Sequence, residues 1–347
     1  MISSLFSLEP SSPSFISHFF HAQHVHFRRE EGVGCSRHAP ELRARYASQL
    51  ILPLVLTSRP ACAAPHALRC VEVPPRGARD LLTRTGPRVK NEAAFERFAD
   101  TWTKLAVFGV EGYERLILVD ADTIMLRGMD ELFTMPLGED WIGASPACTC
   151  NPFQFAHYPK DWIPENCSLS HQPRPTTLDN VPQPTKDSPR TAHLLNSGVV
   201  VLRPSKELMD SLAAHLDSDA VASAQFPDQD VLAEVFKGKW KVLPWWCNAL
   251  KTLRAAHKNL WEDSEVRLLH YILDKPWSKR PQGYDYPTVE SSDIELPKAL
   301  VQAVKSAKPQ ESLQNYDGLH SWWWLVWDDV KGRLGDDRPL VEQWVKE

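Results

Sequence analysis

A chain of 347 residues with 43% hydrophobic and 24% charged residues carries enough apolar surface for one large α/β domain or two small ones. A net charge of -5 and a pI near 6.2, with no run of Lys and Arg, exclude the electrostatic footprint of a nucleic-acid-binding protein and imply no membrane surface. Seven cysteines, an odd count, favour free thiols over a disulfide framework.

In chain order, residues 1–48 are rich in Ser, His and Pro without helical or strand period, and they read as a low-complexity, poorly specified tail. His18, His21, His24 and His26 fall in it and read as solvated, because no fold fixes their geometry. The start, MISSLFSLEPSSPSF, lacks a basic n-region and is broken by Glu9 and two prolines, against a secretory signal. Leu50 to Leu56 is apolar but contains a proline and is far shorter than the ~20 residues of a spanning helix. A cytoplasmic, reducing setting is therefore expected.

Residues 49–347 are expected to form a single domain. Short apolar segments alternate there with amphipathic ones, the pattern of a mostly parallel sheet covered by helices. Strands are predicted at 50–56, 115–119, 141–145, 199–202, 240–243 and 266–269. Phe95, Phe98, Trp102, Leu105 and Ala106 recur at helical spacing, as do Leu208, Leu212 and Leu216, the latter after Ser205, an expected N-cap. Residues 151–190 carry eight prolines and should be an irregular insertion lying over the fold. Leu296 to Ala307 reads as a helix, and Trp322, Trp323, Trp324 and Trp327 as a terminal helix docking its indoles on the domain. Cys148 and Cys150, with His157 and Cys167 nearby, have two readings, a structural zinc site or unligated thiols. Their spacing matches no zinc template and favours the second.

The chemistry concentrates at LILVDADTIML, residues 116–126. A strand apolar on both faces should be central in its sheet, and ligands of open α/β sheets bind beyond the carboxyl ends of such strands. Asp120 and Asp122 stand at that end. In an extended segment their carboxylates would lie about 5–7 Å apart on one side, with a repulsion on the order of 3 kcal/mol at an effective dielectric near ~20. A divalent cation turns that repulsion into attraction, and the cation would in turn hold an anion.

In order and spacing, TKLAVFGVEGYERLILVDADTIMLRGMDELF, LLNSGVVVLRPS, FPDQDVLAEVF, VLPWWCNAL and LLHYILDKPW resemble glycosyltransferase family 8, the glycogenin-like retaining transferases with a GT-A fold. The resemblance covers residues 95–277. It implies an α/β nucleotide-diphospho-sugar transferase fold with a Rossmann-like, mostly parallel central sheet and flanking helices. It implies Asp120, Asp122 and His270 as metal ligands, a set suited to Mn²⁺, with the diphosphate of a UDP-sugar on the metal's open positions. Lys104 and Lys275 match lysines on the phosphate side. Asn196, Ser197 and Gly198 match the turn against the donor sugar. Asp228 and Gln229 match the pair near the anomeric centre, and Leu243, Pro244 and Asn248 a scaffold stretch. The implied reaction moves a hexose to a hydroxyl of a carbohydrate, lipid or small polyol.

The chain departs from that pattern in three places. One segment, LILPLVLTS, stands where two nucleotide-binding strands are expected, and it fits the second of them. His270 and Lys275 are one residue closer than in glycogenin, and the Gly expected after the His is missing. No tyrosine lies between Asn248 and His270, where glycogenin carries the residue it glucosylates, so a self-glucosylating primer is not expected. The alternatives are a catalytically impaired pseudoenzyme or sugar-nucleotide-binding protein lacking the first base-binding strand, and a haloacid-dehalogenase-like phosphatase. The latter is disfavoured by Ile124, where Thr or Val is wanted, and by GDDRP at Gly335 to Pro339, which lacks the later acids. GVGCSR at 32–37 lacks the third glycine of a dinucleotide fingerprint, and no Walker-type G-K-[ST] exists.

Overall fold

The structure, a computed structural model, describes residues 7–8, 54–58, 68–70, 104–110, 113–216, 227–284, 298–306 and 312–331, with Tyr286, Glu342 and Val345. The histidines at 18, 21, 24 and 26 and the helical positions Phe95, Phe98 and Trp102 lie outside the described residues, as does most of segment 1–48.

Two sheets organise the described chain. The larger contains β1 (Ser7–Leu8), β2 (Leu54–Ser58), β3 (Leu68–Cys70), β4 (Arg115–Val119), β6 (Ile142–Pro146), β7 (Leu195–Leu202) and β8 (Trp240–Val242). Their spatial order is β1-β3-β2-β4-β7-β6-β8. The smaller contains β5 (Thr123–Met125), β9 (Ala249–Leu250) and β10 (Leu268–His270), with β10 in the middle.

The expected mostly parallel sheet is corrected here. In the larger sheet only the β6–β8 pairing is parallel, and β4–β7, β6–β7, β2–β4, β2–β3 and β1–β3 are antiparallel. The reason is the connection after β4. A parallel neighbour needs a crossover of a dozen or more residues, usually a helix. Between β4 and β7 the described chain is long enough, but it runs through β5, one short helix, α1 (Glu131–Thr134), β6 and short 3-10 turns, with no helix of crossover length. The class remains α/β, with mixed sheets.

β4 is central, between β2 and β7, and every residue of RLILV is buried. Its side chains serve both faces. Leu116 and Leu118 join Val200, Leu202, Leu212, Leu216, Val231 and Phe236, whereas Ile117 and Val119 join Val199, Val201 and the tryptophan-rich core. That period of two is what a strand buried on both faces requires.

On the first face pack α2 (Lys206–Leu216) and α3 (Pro227–Val235). Ser205 caps α2 as predicted, its Oγ accepting from the Leu208 N–H at 3.1 Å. Leu105 and Ala106 fall in a 3-10 stretch, 104–109, which packs Leu105 and Phe108 into the same core. On the second face lie the small sheet, α4 (Leu253–Ala256), α5 (Lys298–Ser306) and α6 (Asp317–Lys331). Trp322, Trp323, Trp324 and Trp327 are all buried there, and Trp324 Nε1 donates to the Pro276 carbonyl at 2.9 Å. The docking expected of the tryptophans is what the helix does.

Segment 151–190 is irregular but well anchored. The side-chain amide of Gln183 pairs with both the N–H (2.8 Å) and the C=O (3.2 Å) of Val242, standing in for a further strand at the free edge of β8. Gln172 accepts from the Trp245 N–H at 2.9 Å, and the Thr176 carbonyl accepts from Trp246 Nε1 at 2.8 Å. No described helix is long and apolar enough to cross a membrane.

Candidate active site

The acids mark the junction of the two sheets. β4 ends at Val119, the chain bends through 121–122, and Thr123 opens β5 in the small sheet. Asp120 is held in the large sheet by its N–H to the Gly198 carbonyl (2.8 Å), and the Asp122 carbonyl accepts from the Tyr271 N–H (2.8 Å) in the small one. The carboxylates therefore converge through a bend rather than by extended i, i+2 geometry, and closer than the 5–7 Å read from sequence. One ligand atom each from Asp120, Asp122 and His270 lie within 4.8 Å of one another.

His270 closes the small sheet's central strand and lies 3.2 Å (Nε2) from Asp122 Oδ1 and 3.9 Å from Asp120 Oδ2. Its other nitrogen, Nδ1, is 2.8 Å from Asn248 Oδ1. Asn248 Nδ2 donates to Asn196 Oδ1 at 2.6 Å, so Asn248 turns its oxygen to the imidazole. An amide oxygen only accepts, which puts a proton on Nδ1 and turns Nε2 to the acids, where with a proton it donates to Asp122 and without one its lone pair is free for a cation held between them. Asn248 thus acts as more than the scaffold residue expected from sequence.

Around this centre runs a connected polar network. Asn196 accepts the Gly198 N–H at 3.0 Å and donates to Gln229 Oε1 at 3.1 Å. Ser197 Oγ donates to Asp228 Oδ2 at 2.6 Å. Lys104, buried, is 3.0 Å from Asp120 Oδ1 and 3.2 Å from Ser197 Oγ, and pairs with Asp228. Burial alone would lower the Lys104 pKa, but Asp120 and Asp228 outweigh it and push it up, so the ammonium stays charged. Its three N–H donors match those three partners. Lys275 is a third exposed, pairs with Asp122 and donates to the Tyr271 carbonyl at 2.8 Å.

The two acids differ electrostatically. Burial pushes Asp120 upward against the pull of Lys104 and His270, whereas His270 and Lys275 overcome burial at Asp122 and hold it well below the usual carboxylate range. Two carboxylates and one imidazole of fixed tautomer form a donor set suited to a divalent cation.

The structure thus brings together every candidate read from sequence: Asp120, Asp122, His270, Lys104, Lys275, Asn196, Ser197, Gly198, Asp228 and Gln229. A separate groove of about 1120 Å³ lies at the other end of β4, against Arg115, Trp141 and Lys241, and contains none of them.

An α/β chain that gathers a D-x-D pair, a distant histidine and amide side chains at a sheet junction has the make-up of a nucleotide-sugar glycosyltransferase of GT-A type. Its sequence matches Glycosyl transferase family 8 over residues 96–280, more than half of the chain. The chain belongs to that family, which removes the phosphatase alternative. Its curated relatives include Galactinol synthase 1 of Solanum lycopersicum, 24% identical over 58% of this chain and 61% of that protein. Galactinol synthase 3 of Arabidopsis thaliana is 24% identical over 71% of this chain and 68% of that protein. The chain thus spans about three fifths of the length of the first of them. Solved structures with some likeness include the galactosyltransferase LgtC with donor and acceptor sugar analogues (16% identity, 52% of this chain, 60% of that one, TM-score 0.35). The glycosyltransferase GlyE of Streptococcus pneumoniae is another (15% identity, 67% of this chain, 47% of that one, TM-score 0.35).

Proposed function

We propose that residues 49–347 form one catalytic domain that transfers a hexose from a UDP-sugar to an acceptor hydroxyl with retention of configuration, using Mn²⁺. The observation that carries this reading is the approach of His270 Nε2 to Asp122 and Asp120 with Nδ1 tied to Asn248. Asp120, Asp122 and His270 would hold the cation, which when bound neutralises charge growing on the departing diphosphate.

The chain's own residues supply the rest. Lys275, part exposed beside Asp122, is placed to take a phosphate oxygen. Lys104 is better suited to positioning, since its donors already hold Asp120, Asp228 and Ser197. Asn196, Asp228 and Gln229 are the candidate catalytic side chains. They would fix the sugar's hydroxyls and favour positive charge at its anomeric carbon, within the turn formed by Ser197 and Gly198. Segment 151–190, anchored on 242–246, would border the acceptor.

The names of the curated relatives point to galactinol, a galactoside of a cyclitol, as the first product to test, and so to a galactosyl donor and a small polyol acceptor. Self-glucosylation is not part of the proposal, because no tyrosine lies between Asn248 and His270. A cytoplasmic setting belongs to it, since Cys148, Cys150, Cys167 and Cys247 are free thiols.

The test is conversion of UDP-galactose and myo-inositol by the full chain with Mn²⁺, alongside UDP-glucose and other polyols. Manganese-dependent product or donor hydrolysis, lost in Asp122→Ala, is expected. A wild-type chain that binds UDP and Mn²⁺ but turns over none of these would leave only the impaired or binding-protein reading.

A further inference from the structure

Four side chains with zinc-ligand chemistry meet at one point away from the acids. Cys148 and Cys150 follow β6, Cys167 stands between two 3-10 turns of the irregular segment, and His257 ends α4. His257, more than a hundred residues from the CTC pair, replaces the His157 considered from sequence, whose ring stacks on Phe155 instead. His257 Nε2 is 3.5 Å from Cys148 Sγ, 3.2 Å from Cys150 Sγ and 3.8 Å from Cys167 Sγ. All four ligand atoms lie within 4.8 Å of one another.

Those separations are the edges of a small tetrahedron. Zinc bonds of about 2.3 Å to sulfur and about 2.0 Å to nitrogen give S–N edges of about 3.5 Å and S–S edges of about 3.8 Å. Ordinary packing offers a contrast within the same molecule, since Cys247 is buried in the tryptophan-rich core among apolar neighbours. Cys150, Cys167 and His257 are buried as well, yet the three sulfurs of the cluster converge on one imidazole nitrogen, and all three thiols are free. Three sulfurs and one nitrogen are a soft, borderline donor set, unlike the hard acids of the active site, and they select zinc over manganese.

We propose that Cys148, Cys150, Cys167 and His257 form a closed structural Zn²⁺ site that ties the end of β6 and the segment after α4 to the proline-rich insertion. Four protein ligands leave no open position, so the ion takes no part in the transfer. Its effect is architectural. The insertion has little regular secondary structure, and its Gln172 supports Trp245, three residues before the Asn248 that holds His270.

The experiment measures metal content of the full chain, purified from zinc-supplemented cells without chelator. Asp120→Ala/Asp122→Ala removes the carboxylate ligands of the other site, and this variant is expected to retain about one zinc per chain. Adding Cys150→Ser and Cys167→Ser should reduce that at least about tenfold. Cobalt exchanged into the Asp variant should show thiolate charge-transfer and tetrahedral d–d bands, a readout that does not require the Cys variants to fold. Zinc below about a tenth of an ion per chain in the Asp variant would overturn the proposal. So would unchanged zinc after loss of the cysteines, or a disulfide among the three thiols.

Discussion

Gly198 is packed against His270 so closely that a Cβ at position 198 would stand 2.4 Å from both Nδ1 and Cε1 of the imidazole. The strand carrying Gly198 in the large sheet and the strand carrying His270 in the small one can therefore approach only where the side chain is a hydrogen.

Gly198→Ala should accordingly push the imidazole off the Asp122 side while leaving the fold in place. Displacing a ligand's support typically costs about 10–100-fold in metal affinity, and that is the loss expected for Mn²⁺ by calorimetry. Unchanged manganese affinity in a folded Ala variant would mean that His270 is not a ligand.

Asn248→Leu removes the acceptor that keeps the proton on His270 Nδ1. A fall of about 10–100-fold in Mn²⁺ affinity is expected, with Asn248→Asp retaining more than Asn248→Leu because a carboxylate also accepts from Nδ1. Equal affinity for the two variants would argue against control of the tautomer.

The two lysines should separate cleanly. Lys104→Met strips the cation from buried Asp228 and from Asp120, and breaking a buried pair costs about 3–5 kcal/mol, so a large drop in melting temperature is expected. Lys275→Met, at a part-exposed pair, should change stability by about 1 kcal/mol or less but raise the KM for the nucleotide sugar. Thermal scans and donor titrations check both, and the reverse pattern would exchange the roles.

His320 provides a pH test away from the acids. It lies 2.9 Å from buried Lys251, and burial together with that ammonium pushes its pKa down to about 4. Unfolded, it takes up a proton near ~6.5, so between there and about 4 the unfolded chain binds more protons and stability falls as pH drops. The loss is on the order of 3 kcal/mol and is complete below the folded pKa. His320→Gln, which keeps an acceptor for Lys251, should flatten this part of the stability profile. Parallel wild-type and variant curves from pH 7 to pH 4 would exclude the effect.

Much of the site was legible because its parts have local signatures. RLILV followed by D-A-D reads as a buried strand with charge at its end, and the strand is central with both acids at its lip. Ser205 before Leu208, Leu212 and Leu216 reads as a capped helix, and it is one. Of the small sheet only the central strand was legible, predicted at 266–269 and found as β10, since β5 and β9 have three and two residues, too few to display a period. Nor was strand direction, because alternation of strand and helix patterns implies crossovers, while the chain between β6 and β7 turns back through an irregular segment.

What the sequence determined by itself is the inventory and its order: the motifs of glycosyltransferase family 8 and the candidate site residues that they carry. Only the tertiary structure decided who meets whom. Asn248 reaches His270 from 22 residues away, Lys104 reaches Ser197 from 93, and Cys148 finds His257 rather than His157 from 109. The physical reason is that hydrogen bonds and coordination act over about 2–4 Å, whereas the separations they bridge are set by sheet pairing and core packing, which no short window of residues encodes.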